Sequence, residues 1–270
     1  MDTYPYTDIH AHICSYEDRS LAKAEIRYRK AAGIRTVFSA GTPKEWEYLL
    51  SMLSGEEISF GIHPWYADQH DPGECMDLYR ECALIGEIGM DTLWCDVPVE
   101  RQKKIFETQL QIAADLKKPV VLHTKNCESQ IAEIIRDFPC PVLVHWYSGD
   151  EKSLLSFLEQ GCFFTLGPDT SFLENSLLLT HVPSGRLLTE TDGIGAIKWA
   201  YEEAGLPVPP AQAADPASFE LILRTLQAGA SCYARYFCLS EEKALRQIEK
   251  NYTEFSQFQH GEPVSSPCLI

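Results

Sequence analysis

Residues 83–125 read ALIGEIGMDTLWCDVPVERQKKIFETQLQIAADLKKPVVLHTK, and the fold class follows from them. The stretch begins and ends with short apolar runs, ALIGEIGMD and PVVLHTK, that lack polar alternation, as expected of parallel strands buried on both faces. Between them, apolar side chains recur at spacings near three and four residues, which predicts an amphipathic helix. The stretch therefore predicts one strand–helix–strand unit of a parallel sheet.

The same alternation of strand-like and helical segments continues along the chain of 270 residues. Eight such alternations predict an α/β fold, a closed (β/α)8 TIM barrel. An open, doubly wound sheet of about six or seven strands is the alternative, because one missed or false strand would decide between the two. The strand-like runs are YTDIHAHI (6–13), RTVFSAG (35–41), ISFGIHP (58–64), ALIGEIGMD (83–91), PVVLHTK (119–125), PVLVHWY (141–147), CFFTLGP (162–168) and RLLTETDG (186–193).

The length suits a single domain, and we expect one hydrolase barrel over residues 1–258 with a poorly ordered tail over 259–270. The segment GLPVPPAQAADPA, residues 205–217, is rich in proline and alanine and predicts a surface loop. The apolar stripe in FELILRTL is typical of a core-facing helix. Besides the helix after the fourth strand, helical patterns cover residues 20–33, 151–161, 218–237 and 240–255.

The composition excludes several classes of protein. The chain has no apolar run of membrane-spanning length, and its start, MDTYPYTDIH, has no signal-peptide pattern, so we expect no membrane partner and a cytoplasmic location. The ten cysteines form no C-x-x-C pair, which favours reduced thiols. The net charge of −16 argues against a broad binding surface for duplex nucleic acid. It is compatible with an enzyme that holds phosphates through bound divalent cations.

Ionisable side chains stand at the carboxyl ends of most of the predicted strands. In a barrel these ends form the active-site face, so side chains from distant segments are expected to meet there. A single histidine at such an end is more often a hydrogen-bonded core residue, but a core would not take this many polar groups unless a cation collected them. We therefore predict a divalent metal site. The ionisable residues at the predicted strand ends are His10, His12, His63, Glu87, Asp91, His123, His145 and Asp192.

The number of candidate ligands indicates two ions. His10 and His12 are two positions apart, so a pleated strand points both to the same side. One catalytic zinc needs only about three protein ligands, whereas a larger set suffices for a pair of ions bridged by a carboxylate. Imidazoles suit Zn²⁺ and other first-row ions, and carboxylates extend the choice to Mn²⁺ or Mg²⁺. The identity of the metal stays open.

Six motifs, taken together and in this order, resemble the TatD family of metal-dependent hydrolases, which includes deoxyribonucleases and lies within the amidohydrolase-like barrels. They are TDIHAH, GIHPWY, IGEIGMD, RQKKIFETQLQIAADLKKPVVLHTK, PVLVHWYSG and LLTETD. The resemblance covers most of residues 6–193. It implies a TIM-barrel phosphodiesterase, a 3′-end exonuclease on DNA that uses a metal-activated water and favours single-stranded ends.

The resemblance also implies roles for individual residues. His10 and His12 bind the first ion, His123 and His145 hold the second, and Glu87 bridges both. Asp192 ligates the first ion and accepts the proton of the attacking water, so Asp192 and Glu87 are the catalytic carboxylates. The implied metal ligands are thus His10, His12, Glu87, His123, His145 and Asp192.

Four residues are candidates for substrate binding. His63 would contact phosphate, and Asp91 would lie behind a ligand or face the substrate, with a loop cap or ion pair as the alternative. Lys125 stands where the family often has arginine and would meet a phosphate unless it is an ordinary solvated lysine. Trp146 and its neighbour Tyr147 would line the pocket and stack on a base, or be ordinary aromatic residues of the rim.

The chain departs from the family pattern after ETD, where GIGAIKWAYEEAGLPVPP replaces a basic loop and only Lys198 is positively charged. This departure keeps two other hypotheses open. One retains the metal centre but assigns it a C–N or ester bond in a small molecule, as in the wider amidohydrolase group. The other is a metal-binding subunit of a larger system with little or no catalysis.

Overall fold

The strands of this protein follow one another in space in the same order as in the sequence. The computed structural model describes residues 5–16, 18–171, 176–208 and 216–257. Its strands form one eight-stranded sheet in the order β1 to β8, and every neighbouring pair is parallel. The strands are β1 (Tyr6–Ala11), β2 (Ile34–Ala40), β3 (Glu57–Phe60), β4 (Leu84–Asp91), β5 (Val120–Lys125), β6 (Val142–Val144), β7 (Phe163–Leu166) and β8 (Leu187–Thr189).

The last strand returns to the side of the first. The Thr189 hydroxyl donates to the carbonyl oxygen of Thr7 at 2.6 Å, and the backbone N–H of Asp192 donates to the carbonyl oxygen of His10 at 3.0 Å. These contacts bring the two edges of the sheet together, so the strands form a nearly closed barrel. The predicted (β/α)8 barrel is confirmed, and the open, doubly wound alternative is wrong.

Helices surround the barrel and connect successive strands. They are α1 (Arg19–Ala31), α2 (Pro43–Leu50), α3 (Met76–Glu81), α4 (Val99–Leu116), α5 (Glu128–Ile134), α6 (Glu151–Glu159), α7 (Ser176–His181), α8 (Ile194–Glu203), α9 (Pro216–Tyr236) and α10 (Glu241–Ser256). Gly33 and Gly161 follow α1 and α6 with φ angles of 69° and 75°, a left-handed conformation that glycine adopts without steric cost. The five helical patterns of the sequence therefore correspond to α1, α4, α6, α9 and α10.

After the last strand, two segments differ from the sequence-based expectation. Helix α8 occupies residues for which no element was predicted, and it begins after Gly193 without a side-chain cap. Helix α9 begins at Pro216, so the last two residues of the predicted loop 205–217 are helical. The predicted tail, 259–270, lies outside the described residues, and the domain boundary at 258 stays a prediction.

The core consists of side chains inside the barrel and between the barrel and its helices. A second, smaller cluster lies where α8 and α9 meet the start of β2, and it includes Ile34, Ile197 and Ile222. Phe219 and Leu226 belong to it, so the FELILRTL stripe is core, as predicted. In the described part of the chain no helix is long and apolar enough to cross a bilayer, and the nine described cysteines are all free thiols.

Candidate metal centre

Glu87, in the middle of β4, lies at the centre of the polar cluster and is 2% exposed. Its Oε2 atom lies 3.3 Å from Nε2 of His10 and 3.2 Å from Nε2 of His12. Asp192 approaches from the loop after β8, with Oδ1 3.5 Å from Nε2 of His10 and 3.6 Å from Nε2 of His12. The structure therefore brings the residues predicted for the first ion into one group.

The other carboxylate oxygen of Glu87 faces a second group of histidines. Oε1 lies 2.5 Å from Nδ1 of His123 and 2.7 Å from Nε2 of His145. Nε2 of His63, which follows β3, lies 3.5 Å from the same oxygen. One carboxylate thus stands between two sets of imidazoles, and His63 lies only slightly farther from it than His10 and His12 do.

These groups fit divalent ions. Among the described residues, ligand atoms within 4.8 Å of one another occur in three sets, His10–His12–Asp192, His10–Glu87–His145 and His63–Glu87–His123. The Nε2 atoms of His10 and His12 are 3.1 Å apart. With the two distances to Asp192, this spacing is close to the edges of about 3.3–3.6 Å in a tetrahedron of ligands around zinc. The donor set, imidazole nitrogens with carboxylate oxygens, suits first-row ions.

The charge balance of the centre also favours cations. Burial raises the pKa of Glu87, but His145 and His63 outweigh burial and hold it well below its usual range. Burial lowers the pKa of His12, but the hydrogen bond to Glu87 and the charge of Asp192 raise it to about 9. Burial likewise lowers the pKa of His145, but Glu87 and Glu190 outweigh burial and raise it, so protons on His12 and His145 balance the carboxylates in the absence of metal, and a bound cation would replace them.

Asp91, at the end of β4, lies behind one of these histidines. Its Oδ2 accepts hydrogen bonds from Nε2 of His123 at 2.9 Å and from Nε1 of Trp65 at 2.7 Å. Its Oδ1 accepts the backbone N–H groups of Leu93 and Trp94, each at 2.8 Å. Burial raises the pKa of Asp91, but these hydrogen bonds outweigh burial and lower it. Asp91 therefore orients His123 and caps its own loop at the same time.

Lys125 and Trp146 lie together at the rim. Lys125 is 5% exposed, so the interpretation of it as a solvated lysine is wrong. Its Nζ donates to the carbonyl oxygen of Trp146 at 2.8 Å and to Oγ of Ser148 at 3.3 Å. Burial lowers the pKa of this ammonium, although the carboxylates of the centre oppose the shift. Tyr147 does not line the mouth, because it is 3% exposed and packs in the core.

Two glutamines of α4, for which the sequence pattern gave no signal, hold the segments that carry site residues. Gln102 accepts the N–H of Asp91 at 2.8 Å and donates to its carbonyl at 2.9 Å. Gln109 makes the same pair of bonds to Ile62, the residue before His63, at 2.7 and 3.1 Å. Each amide side chain pairs a buried backbone N–H and C=O that would otherwise lack partners, and so fixes a segment that carries a site residue.

Two further features were missed. Glu190, directly after β8, is 1% exposed and places Oε1 3.6 Å from Nδ1 of His145. Below the centre, Arg29 of α1 donates to Asp8 at 2.6 Å, and Asp8 accepts the N–H of Thr191 at 2.9 Å. These contacts anchor the positions just before His10 and Asp192. The ETD motif and its acidic residues were visible in the sequence, but their partners were not.

A parallel eight-stranded barrel with histidines and carboxylates gathered at the carboxyl ends of its strands defines the class of metal-dependent hydrolases. The family model described as TatD related DNase matches residues 7–227, which is most of the chain. The protein therefore belongs to the TatD family, a family of metal-dependent hydrolases of nuclease type.

Named relatives are similar over much of the chain. The 3'-5' RNA nuclease TATDN2 of Homo sapiens is 28% identical over 219 residues, which are 69% of this chain but only 28% of that protein. The metal-dependent hydrolase YcfH of Escherichia coli K12 is 27% identical over 71% of this chain and 74% of its own length. The 3'-5' ssDNA/RNA exonuclease TatD of Pectobacterium atrosepticum is 28% identical over 60% of this chain and 69% of its own length.

Solved structures support the fold. The TatD homologue YjjV of Escherichia coli K12 superposes with a TM-score of 0.74 at 18% identity, over 94% of this chain and 99% of that one. A TatD family hydrolase of Entamoeba histolytica gives a TM-score of 0.72 at 15% identity, with the same coverage. At these identities the likeness concerns the barrel and its helices.

Proposed function

We propose that this protein removes nucleotides from the 3′ ends of single-stranded DNA or RNA by hydrolysing phosphodiester bonds with two divalent metal ions. The observation that carries the proposal is the position of Glu87, with one carboxylate oxygen facing His10 and His12 and the other facing His123 and His145. A carboxylate shared in this way suits a pair of ions. The names of the human and Pectobacterium relatives favour nucleic acid as the substrate.

Each ion has its own proposed set of ligands. His10, His12 and Asp192 would hold one ion, His123 and His145 the other, and Glu87 both. His63 is an additional candidate ligand of the second ion, since burial lowers its pKa to about 4 and keeps the imidazole neutral. A pair of bound ions supplies an activated water and neutralises charge on the phosphate. The many imidazoles favour Zn²⁺ or Mn²⁺ over Mg²⁺.

Asp192 is the proposed acceptor of the proton from the attacking water. Its side chain is 18% exposed, more than that of Glu87, so it faces the mouth of the barrel. Its N–H donates to the carbonyl of His10, which fixes the backbone of a residue whose φ is 53°. A general base must lie within hydrogen-bond reach of the proton that it accepts, and a fixed backbone beside the centre would hold the carboxylate there.

Substitution of Glu87 by Gln tests the proposal. We expect the purified Glu87→Gln variant to contain less than half as much metal as the parent by elemental analysis. Its phosphodiesterase activity should be at least about 100-fold lower than that of the parent. Its circular dichroism spectrum should remain that of the parent. Glu242→Gln is the matched control, because Glu242 forms an exposed pair with Arg246 on α10.

The substrate panel separates the proposal from its rivals. It contains single-stranded oligonucleotides labelled at the 5′ end, their duplexes, and a set of amides, lactones and esters, each with Zn²⁺, Mn²⁺ or Mg²⁺. Activity confined to amides or esters would replace the nuclease by a small-molecule hydrolase. Metal binding without any turnover would indicate a metal-binding subunit.

The cytoplasmic location stays a prediction.

A further inference from the structure

Three tryptophans form a cluster at the mouth of the barrel, and we name Trp94, Trp146 and Trp199 the indole cluster. The ring centroid of Trp199 lies 5.7 Å from the ring centroid of Trp94 and 5.6 Å from that of Trp146, with interplanar angles of 79° and 80°. The three come from the loop after β4, the segment after β6 and helix α8, which all follow carboxyl ends of strands. The cluster therefore lies on the same face as the metal centre.

Two of these indoles are unusually open to solvent. Trp94 is 50% exposed and Trp199 is 42% exposed. Tryptophan buries most of its surface in typical folds, and a contiguous group of exposed aromatic side chains marks a binding surface. Their neighbour Leu93 is also exposed, at 58%. The mouth thus offers aromatic side chains that are exposed in the part of the chain that the structure describes.

The third indole is held in place by its surroundings. Trp146 has a φ of 36°, which is strained for a bulky side chain. Its N–H donates to Oγ1 of Thr165 at 2.8 Å, and its carbonyl accepts from Lys125. Its ring lies over Gly167, where a Cβ atom would come within 2.8 Å of Cδ1. These contacts maintain an orientation that the backbone alone would not prefer.

A buried cation stands within the cluster. Nζ of Lys125 lies 5.8 Å from the ring centre of Trp94 and 5.7 Å from that of Trp146. Two of its three N–H donors bind Trp146 and Ser148, which leaves one for an incoming anion. Its positive charge also disfavours a cationic guest such as a quaternary ammonium, the other ligand that aromatic cages accept. The site therefore combines exposed aromatic side chains with the positive charge of Lys125.

We propose that the indole cluster and Lys125 form a subsite for one nucleotide at the end of a single-stranded substrate, with the base stacked on Trp94 or Trp199 and a phosphate near Lys125. The inference rests on the proposed nuclease function and specifies which part of the substrate is recognised. Stacking on indoles is tolerant of base identity. The subsite consequently selects unpaired ends, since a base in a duplex keeps its faces covered by its neighbours.

The kinetic test compares Trp199→Ala with Tyr236→Ala in the metal-loaded enzyme. Tyr236 is 44% exposed and lies one turn from Tyr233, which bonds to Ser184 ahead of β8, at the opposite end of the barrel. For a single-stranded oligonucleotide, we expect Trp199→Ala to raise KM about tenfold with little change in kcat, because base stacking is lost. Tyr236→Ala should match the parent, and Trp199→Phe should restore most of the loss.

A substrate whose terminal nucleotide lacks its base completes the kinetic test. The parent should show the raised KM on this substrate, and Trp199→Ala should raise it no further, because the indole then has no base to contact. An equal effect of Trp199→Ala on both substrates, or no effect on either, would overturn the subsite.

A binding titration with uridine 5′-monophosphate, in which quenching of tryptophan fluorescence is the readout, tests the subsite apart from catalysis. The parent should bind this nucleotide at least about tenfold more tightly than ribose 5-phosphate, and Trp199→Ala should remove the difference. This result supports the subsite even if no oligonucleotide is cleaved, in which case only the proposed function fails. Equal binding of the two phosphates by the parent rejects the subsite even if cleavage is observed.

Discussion

The Nε2–H of His123 donates to Oδ2 of Asp91 at 2.9 Å, and this contact turns Nδ1 of the same ring toward Glu87 at 2.5 Å. The carboxylate behind the ring thus decides which nitrogen faces the centre. Such a partner fixes the tautomer of a metal-binding histidine and increases its basicity. Asp91 is in turn fixed by Trp65 and by two backbone N–H groups.

Asp91→Asn should weaken metal binding while preserving the fold. Four N–H donors converge on the two carboxylate oxygens of Asp91. An asparagine has only one side-chain oxygen, so its NH2 group would face two of these N–H donors. We expect a loss of about 10- to 100-fold in metal affinity, measured by competition with a chromogenic chelator. Asp77→Asn is the control, since Asp77 is 87% exposed by side chain. Unchanged affinity in Asp91→Asn would show that His123 needs no orienting partner.

Bound metal should stabilise the folded protein. A cation at about 100 times its dissociation constant adds about 2.7 kcal/mol to the free energy of unfolding, or about 5–10 °C in melting temperature for a protein of this size. Calorimetry with and without Zn²⁺ or Mn²⁺, and after chelation, measures the shift. His12→Ala should abolish most of it, whereas His181→Ala should not, because His181 pairs with Glu151 away from the centre. An equal shift in both variants would place the bound ion elsewhere.

Arg29→Met should strongly destabilise the fold. Arg29 is 2% exposed and bonds to Asp8 at 2.6 Å and to Glu25 at 2.8 Å, so its removal leaves two buried carboxylates without their partner. The expected loss is about 3–5 kcal/mol in the free energy of unfolding, measured by urea denaturation. Arg224→Met, which breaks an exposed pair with Glu220, should change it by less than about 0.5 kcal/mol. A small effect at Arg29 would mean that the two carboxylates become protonated without penalty.

Buried thiols should resist alkylation at moderately alkaline pH. Burial raises the pKa of Cys82 to about 11, so below that pH the thiol stays neutral and unreactive. Cys238 is exposed. Peptide mapping after iodoacetamide treatment at pH 8 should find Cys238 labelled at least about 100-fold faster than Cys82, and the slow rate should rise about tenfold per pH unit. Comparable rates at the two positions would contradict the burial of Cys82.

The eight strands could be predicted because buried parallel strands are continuous apolar runs, a signal contained in each short segment. Helix α8 could not. Gly193 and Gly195 interrupt the pattern at its start, no residue caps it, and the proline-rich stretch follows closely. Its stability comes from Ile194 and Ile197, which pack against α9 and the start of β2. Those contacts depend on residues far away in the chain.

The polar side chains of the centre were predictable for the same reason as the strands. Most candidate ligands lie within or directly after an apolar run, and the geometry of a barrel brings such strand ends together. Gln102 and Gln109 gave no comparable signal, because polar residues on an amphipathic helix usually face solvent. Glu190 was overlooked beside Asp192. Its burial against His145 arises only when β6 and β8 come to the same mouth.

The seam between the first and last strands can form only late in the synthesis of the chain. Thr7 and Thr189, which join these strands, are 182 residues apart. At about 5–20 residues per second, a ribosome needs roughly 10–40 s to make that length. Throughout this time the nascent chain carries His10 and His12 but not Asp192. The group formed by His10, His12 and Asp192 can therefore be complete only after the eighth strand has left the exit tunnel.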